Sequence, residues 1–296
     1  MTVIPVVFCF DSRILIGASV SIKSLIDTAD ENTCYDIRIF HSDLSLKTQR
    51  ALSSLAEGTR HTIGFHYINP ELFTGCPKSK GSWTEIVYYR FLVPYILNEY
   101  DKAVYSDVDV LFKDDLSDLY SSNISEYEFG AVKAEKNTPN VIGHKYFEEN
   151  ENEFIYWSGL MLFNCKRFRE EKTLDKLVEN AKIFNKRLKY FDLDLVNITC
   201  NRILPLSMKY CLVQSFIRNE DYTKAKEYEF LKEIYTDEEI IEAIKNPAII
   251  HYAGKPGKPW RFKKPYSDYK EYMDKLPNDL KVFTFRDVRK KLFSKV

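Results

Sequence analysis

Residues 3–10 are apolar without a break and stop at Asp11, a run that predicts a strand buried on both faces. Ile14, Ala18, Ile22, Leu25 and Ile26 then recur at helical spacing. Residues 36–41 alternate as a second strand, 46–56 carry a helical apolar face, and 62–68 are β-branched and aromatic enough for a third strand. Ser82 and Glu85 form a capping-box signal before a helical run over 86–97, whose end Pro94 is expected to bend or shorten. The apolar run 103–111 predicts another strand, which carries Asp107 and Asp109. Short strands are expected at 129–132 and 160–163, and one long amphipathic helix over 168–188. Strand and helix alternating in this way imply an α/β fold with a mainly parallel sheet.

Composition narrows the classes. The 296 residues are 45% hydrophobic, enough for a sizeable core, and the 43 basic residues equal the 43 acidic ones. A neutral balance provides no global field to attract nucleic acid, so no nucleic-acid partner is expected. The six cysteines lack paired short spacings and read as reduced core residues. Residues 3–10 have no basic segment before them and no small-residue cleavage site after them. They read as a strand rather than a signal peptide, and a cytoplasmic location is expected. Oligomeric state is not legible.

Two constellations carry chemistry. Alternate residues of a strand point the same way, so Asp107 and Asp109 are expected to aim both carboxylates at one point. Two like charges so close repel unless a cation satisfies them. Such a triplet alone is common by chance. The second constellation follows the strand-like residues 248–250: His251, then Gly254, Lys258, Pro259 and Trp260. A histidine at a strand end can give an imidazole to a metal, glycine allows close backbone approach, and lysine suits phosphate. A hydrogen-bonded loop histidine is the plainer reading of that segment by itself.

Together these motifs resemble glycosyltransferase family 8, which includes bacterial lipooligosaccharide galactosyl- and glucosyltransferases and glycogenin. The resemblance spans roughly residues 3–260. It is carried by the strand ending in Asp11, by Lys23 and Ser24, by Tyr88 to Leu92, by Asp107-Val108-Asp109, by Ser158 to Asn164, by Asp192 and Asp194, and by His251, Gly254, Lys258, Pro259 and Trp260. It implies a GT-A type, Rossmann-like nucleotide-sugar domain, a UDP-hexose donor, a Mn²⁺ ion with Mg²⁺ as the alternative, and transfer with retention. The metal ligands it implies are Asp107, Asp109 and His251. It sets Asp11 on the nucleoside, Lys258 and Gly254 on the diphosphate, and Arg90 and Asp192 on the donor sugar, with Asp107 also among the donor-facing residues. Three positions depart from the family pattern. Ile14 stands where an aromatic residue usually meets the base, Trp157 replaces an Asn near the sugar, and Leu193 replaces the Gln under the reacting carbon. A leucine cannot act as a nucleophile, so front-face return is the mechanism expected at the catalytic group Asp192, Leu193 and Arg90.

A catalytic domain is thus expected over 1–260, with a basic, aromatic tail over 261–296. Phe285, Val288 and Leu292 fall on one helical face flanked by cations, a pattern that suits either peripheral contact with an anionic membrane or a helix docked on the protein. The expected acceptor is a glycan or glycolipid of a bacterial surface, such as a lipopolysaccharide core or a lipid-linked repeat unit. Transfer onto protein or onto itself, and a catalytically impaired UDP-sugar-binding scaffold, are the alternatives.

Overall fold

The opening apolar run forms β1 (Thr2–Cys9), buried from Ile4 onward. The computed structural model describes residues 1–77 and 84–293. The further strands are β2 (Thr33–His41), β3 (Thr62–Tyr67), β4 (Lys102–Ser106), β5 (Val110–Phe112), β6 (Phe129–Lys136), β7 (Phe154–Tyr156), β8 (Leu160–Asn164), β9 (Ile203–Leu206), β10 (Leu212–Val213) and β11 (Ile249–His251). Among the described residues an eight-stranded sheet runs β3-β2-β1-β4-β8-β6-β7, with β9 beside β6. The β3-β2-β1-β4 half is parallel, while β8 and β7 enter antiparallel. Side chains of β1 alternate between two cores. Ile4, Val6 and Phe8 face the helix Leu15–Asp27, and Val7 and Cys9 face Tyr88, Tyr89 and Phe91.

The helix Leu15–Asp27 is buried nearly all round, where its spacing predicted one apolar face. The cause lies far along the chain. The helix Ser267–Lys275 packs on its outer side through Tyr269 and Met273, and Trp260 lies against Gly17. A Cβ at Gly17 would stand 2.6 Å from that indole, so only glycine lets the two surfaces meet.

Three expectations change. The run 103–111 is two strands, because the chain bends at Asp107 to Asp109 and passes from the main sheet into a smaller one, β10-β11-β5. Alternation along one strand therefore does not aim the carboxylates; the bend does. The run 86–97 is a 3₁₀ helix, Glu85–Leu92, followed by the short α-helix Val93–Ile96. Pro94 sits in that helix's first turn, where a missing N–H costs nothing, so it begins an element instead of ending one. Ser82 lies outside the described residues. Thr84 occupies the N-cap position without a side-chain hydrogen bond. The run 168–188 divides into Cys165–Glu170 and Thr173–Ile183, separated by Lys172 at φ 53°, a left-handed conformation that no helix continues through.

Candidate active site

The Asp107–Asp109 bend is held from three sides. Ser21 Oγ shares its proton between the carbonyls of Val108 (2.8 Å) and Val110 (2.7 Å), and Ser24 Oγ accepts from Phe112 N at 3.1 Å. Both serines are fully buried on the first helix, so that helix fixes the acid segment's backbone. Asp107 N donates to Gly159 O and Tyr252 N to Asp109 O, at 2.8 and 2.9 Å. Because β11 pairs antiparallel with β5, His251 comes opposite Val110 and beside the acids.

One ligand atom each from Asp107, Asp109 and His251 lie within 4.8 Å of one another. His251 Nε2 is 3.3 Å from Asp109 Oδ1 and 3.7 Å from Asp107 Oδ2. Two hard carboxylates and one imidazole make a donor set suited to a small divalent cation. The ammonium of Lys258 already rests on Asp109 Oδ2, so the cluster accommodates a positive charge. Burial opposes ionisation of Asp109, yet Lys258 and His251 hold it well below the usual carboxylate range. Burial likewise opposes a charged His251, yet Asp109 keeps its imidazole well above the ordinary value. Gly159 closes the cluster: a Cβ there would lie 2.6 Å from His251 Cε1 and 3.2 Å from Asp107 Oδ2.

Arg90 joins this cluster to a second carboxylate. Its Nη2 is 3.1 Å from Asp107 Oδ1, its Nη1 is 2.9 Å from Asp192 Oδ2 and 2.7 Å from Ser158 O, and its guanidinium lies 4.3 Å from the Tyr105 ring centroid. Asp192 stands in the first turn of the helix Phe191–Thr199 and accepts from Ser158 Oγ at 2.7 Å. Burial pushes its carboxyl up to about 6, against Arg90 and Ser158. The like charge of Asp107 nearby adds to the effect of burial. Arg90 itself remains a cation: burial opposes its charge, and Asp192, Tyr105 and Asp107 outweigh it.

These groups line a cleft of about 850 Å³, which also takes in Asp11, Ile14, Trp157, Leu193, Gly254 and Lys258. Each residue expected to serve catalysis, the donor or the metal therefore falls on one cavity, while Lys23, Ser24, Asp194 and Pro259 do not line it. The Asp11 carboxylate is engaged by Arg13 N at 2.9 Å and by the Arg13 guanidinium. Gly254 has φ +70° and nothing within 4 Å of a built Cβ, so it is needed for backbone conformation and not for room. Trp157 Nε1 donates to His144 Nε2 at 3.1 Å, and His144 Nδ1 lies 3.0 Å from Glu135 Oε2. That assigns the Nδ1–H tautomer to His144 and locks the indole plane. Sequence reasoning missed Ser21, His144, Glu135 and Glu227. Glu227 lines the cleft, and its buried Oε2 has no hydrogen-bond partner among the described residues. Nothing in the spacing of these four residues signals a site: Ser21 reaches the acid segment some 90 positions on, and Glu135, His144 and Glu227 share no regular period with it.

The tail reaches the cleft as well. Arg261, Thr284 and Arg286 line it. In the helix Phe285–Phe293, Asp287 is fully buried while Phe285, Val288, Leu292 and Phe293 are exposed. Among the described residues no helix is long and apolar enough to cross a membrane.

Comparison with known proteins establishes the family. The chain is 27% identical over 258 residues to a lipopolysaccharide 1,2-glucosyltransferase of Escherichia coli, covering 84% of this chain and 71% of that protein. Its fold superposes on the galactosyltransferase LgtC, solved with donor and acceptor sugar analogues, with a TM-score of 0.72 at 19% identity over 94% of this chain and 99% of LgtC. It also superposes on the bifunctional glycosyltransferase WbbM, with a TM-score of 0.74 at 23% identity, covering 98% of this chain and 52% of WbbM, about half of that protein. The sequence profile of the glycosyl transferase family 8 matches residues 5–264. The chain belongs to that family.

Proposed function

We propose that the chain is a metal-dependent, retaining hexosyltransferase that moves glucose or galactose from a UDP-sugar to a sugar hydroxyl of a bacterial surface glycan. The observation that carries this reading is the meeting of Asp107, Asp109 and His251 at the wall of a cleft, with Arg90 and Asp192 directly beside them. Asp107, Asp109 and His251 would hold Mn²⁺ or Mg²⁺, which when bound supplies neutralisation of the negative charge developing on a departing diphosphate. Lys258, released from Asp109, reaches a phosphate oxygen as a point charge. Arg90 and Ser158 both hold Asp192 through Oδ2, and on this reading the Asp192 carboxylate orients a donor-sugar hydroxyl. Leu193 presents no nucleophile to the sugar, which supports front-face return over a covalent intermediate at this position. The locked indole of Trp157 gives the sugar an apolar wall. The kinship with a lipopolysaccharide glucosyltransferase supports a surface-glycan acceptor.

Hydrolysis of UDP-glucose, UDP-galactose and UDP-N-acetylglucosamine tests the reading, with Mn²⁺ and with chelator, since transferases slowly give the sugar to water. Turnover of one donor, lost on chelation, is the expected result. Tight UDP binding with neither hydrolysis nor transfer to any glycan would sink catalysis and leave a sugar-nucleotide scaffold.

The tail supports peripheral membrane contact. Its exposed apolar face, with Phe285 84% and Phe293 78% accessible, is flanked by Arg286, Arg289, Lys290 and Lys291. Sedimentation with vesicles containing an anionic lipid should fall several-fold when Phe285, Leu292 and Phe293 are changed to Ser. Undiminished sedimentation would rule the contact out.

A further inference from the structure

We infer that Arg286 binds the diphosphate of the donor and that Asp287 positions it there. The inference rests on the nucleotide-sugar reading and adds to it a residue beyond residue 264, where the family match ends. Arg286 lines the cleft together with Lys258, Gly254 and Arg261, and Lys258 touches the acid cluster. The Arg286 side chain is exposed, but the backbone that carries it is anchored. Asp287, the next residue, is fully buried and accepts from Trp260 Nε1 at 3.3 Å, from the Arg261 guanidinium, from Thr284 N at 2.9 Å and from Thr284 Oγ1 at 2.6 Å. Trp260 is in turn seated on Gly17 of the first helix. The C-terminal helix is thereby pinned to the turn that carries Lys258.

Charge indicates the ligand. Lys258, Arg261, Arg286 and Lys290 gather around two carboxylates, Asp109 and Asp287, which are taken by Lys258 and Arg261 respectively. Among the described residues no carboxylate pairs with Arg286 or Lys290. The mutual repulsion is felt: burial, Arg261, Arg286 and Lys258 all depress the ammonium of Lys290. A cationic surplus on the wall of a cleft, with one guanidinium left open, fits a ligand carrying adjacent phosphates, and a planar guanidinium grips two phosphate oxygens at once. A nucleoside diphosphate supplies that chemistry beside the acid cluster.

Titration calorimetry in Mn²⁺ with UDP and with uridine tests this on the full chain. Arg286→Ala, at an exposed position, should retain the wild-type melting temperature, weaken UDP about tenfold, and flatten the salt dependence of UDP binding, with uridine unaffected. Asp287→Asn should weaken UDP by a similar factor through the same arginine, and the double variant should be little worse than either alone. Unchanged UDP affinity in Arg286→Ala overturns the inference, as does equal weakening of UDP and uridine. Loss of anionic-vesicle binding with UDP affinity intact would assign the arginine to lipid phosphate instead and overturn it too. Failure of the wild-type protein to bind UDP would overturn the nucleotide-sugar reading itself, and the assignment of Arg286 with it.

Discussion

Changing Gly159 to Ala should lower donor turnover by a factor on the order of 10²–10³ while the protein stays folded. The added methyl stands 2.6 Å from His251 Cε1 and 3.0 Å from Nδ1, closer than unbonded carbon atoms approach. The imidazole has to give way. It is buried, with Cys211 Sγ 3.5 Å from Nδ1, and it borders Asp109 on its other side, so moving aside takes Nε2 from the two acids. Gly159 does not have a left-handed backbone, so alanine adds crowding and no backbone strain. Hydrolysis rates over a Mn²⁺ titration should show weaker metal activation, with an unchanged circular dichroism spectrum. Wild-type rates in the alanine variant would contradict the ligand role of His251.

Arg90→Met should cost about 3–5 kcal/mol of stability, the usual consequence of leaving buried charge unpaired, which lowers the melting temperature by roughly 10 °C. The methionine fills most of the volume but leaves Asp192 without its cation and Asp107 with only Tyr105 OH at 2.6 Å and His251 Nε2 at 3.7 Å. The sign with pH follows from Asp192. Its carboxyl, at about 6, is neutral below that pH and charged above it. The variant should therefore lose less stability at pH 5 than at pH 8, and adding Asp192→Asn should recover part of the loss at pH 8. Turnover should be abolished in both. Denaturant melts at the two pH values check this, and a penalty independent of pH would show that Asp192 is not the charge Arg90 neutralises.

The convergence of Asp107, Asp109 and His251 was legible only through the family resemblance, because an acid pair two apart and a histidine at a strand end are each common by chance. The bend that aims them could not be read, since it depends on Ser21 and Ser24 reaching across from another element. The resemblance pointed to Trp157, which lines the cleft, but gave no sign of its N–H partner: His144 lies in a loop with no regular spacing to it. The parallel half of the sheet followed from periodicity. The first helix misled in one respect, because burial of its second face is supplied by residues some 250 positions later. In the tail, hydropathy marked Phe285, Val288 and Leu292 as one face but carried no sign that Asp287 would be buried against Arg261 and Trp260, which are distant in sequence.

The small sheet β10-β11-β5 joins an acid segment near the middle of the chain to a strand near its end. Closing so long a loop is entropically unfavourable and comes late when local contacts form first. On the proposed metal-dependent reading, cation affinity belongs to the finished protein: a chain halted before His251 could complete the parallel half of its sheet and would still lack one of the three ligands. An ion bound at that seam would favour the folded state by mass action. The proposed site would thus tie catalytic competence to complete folding.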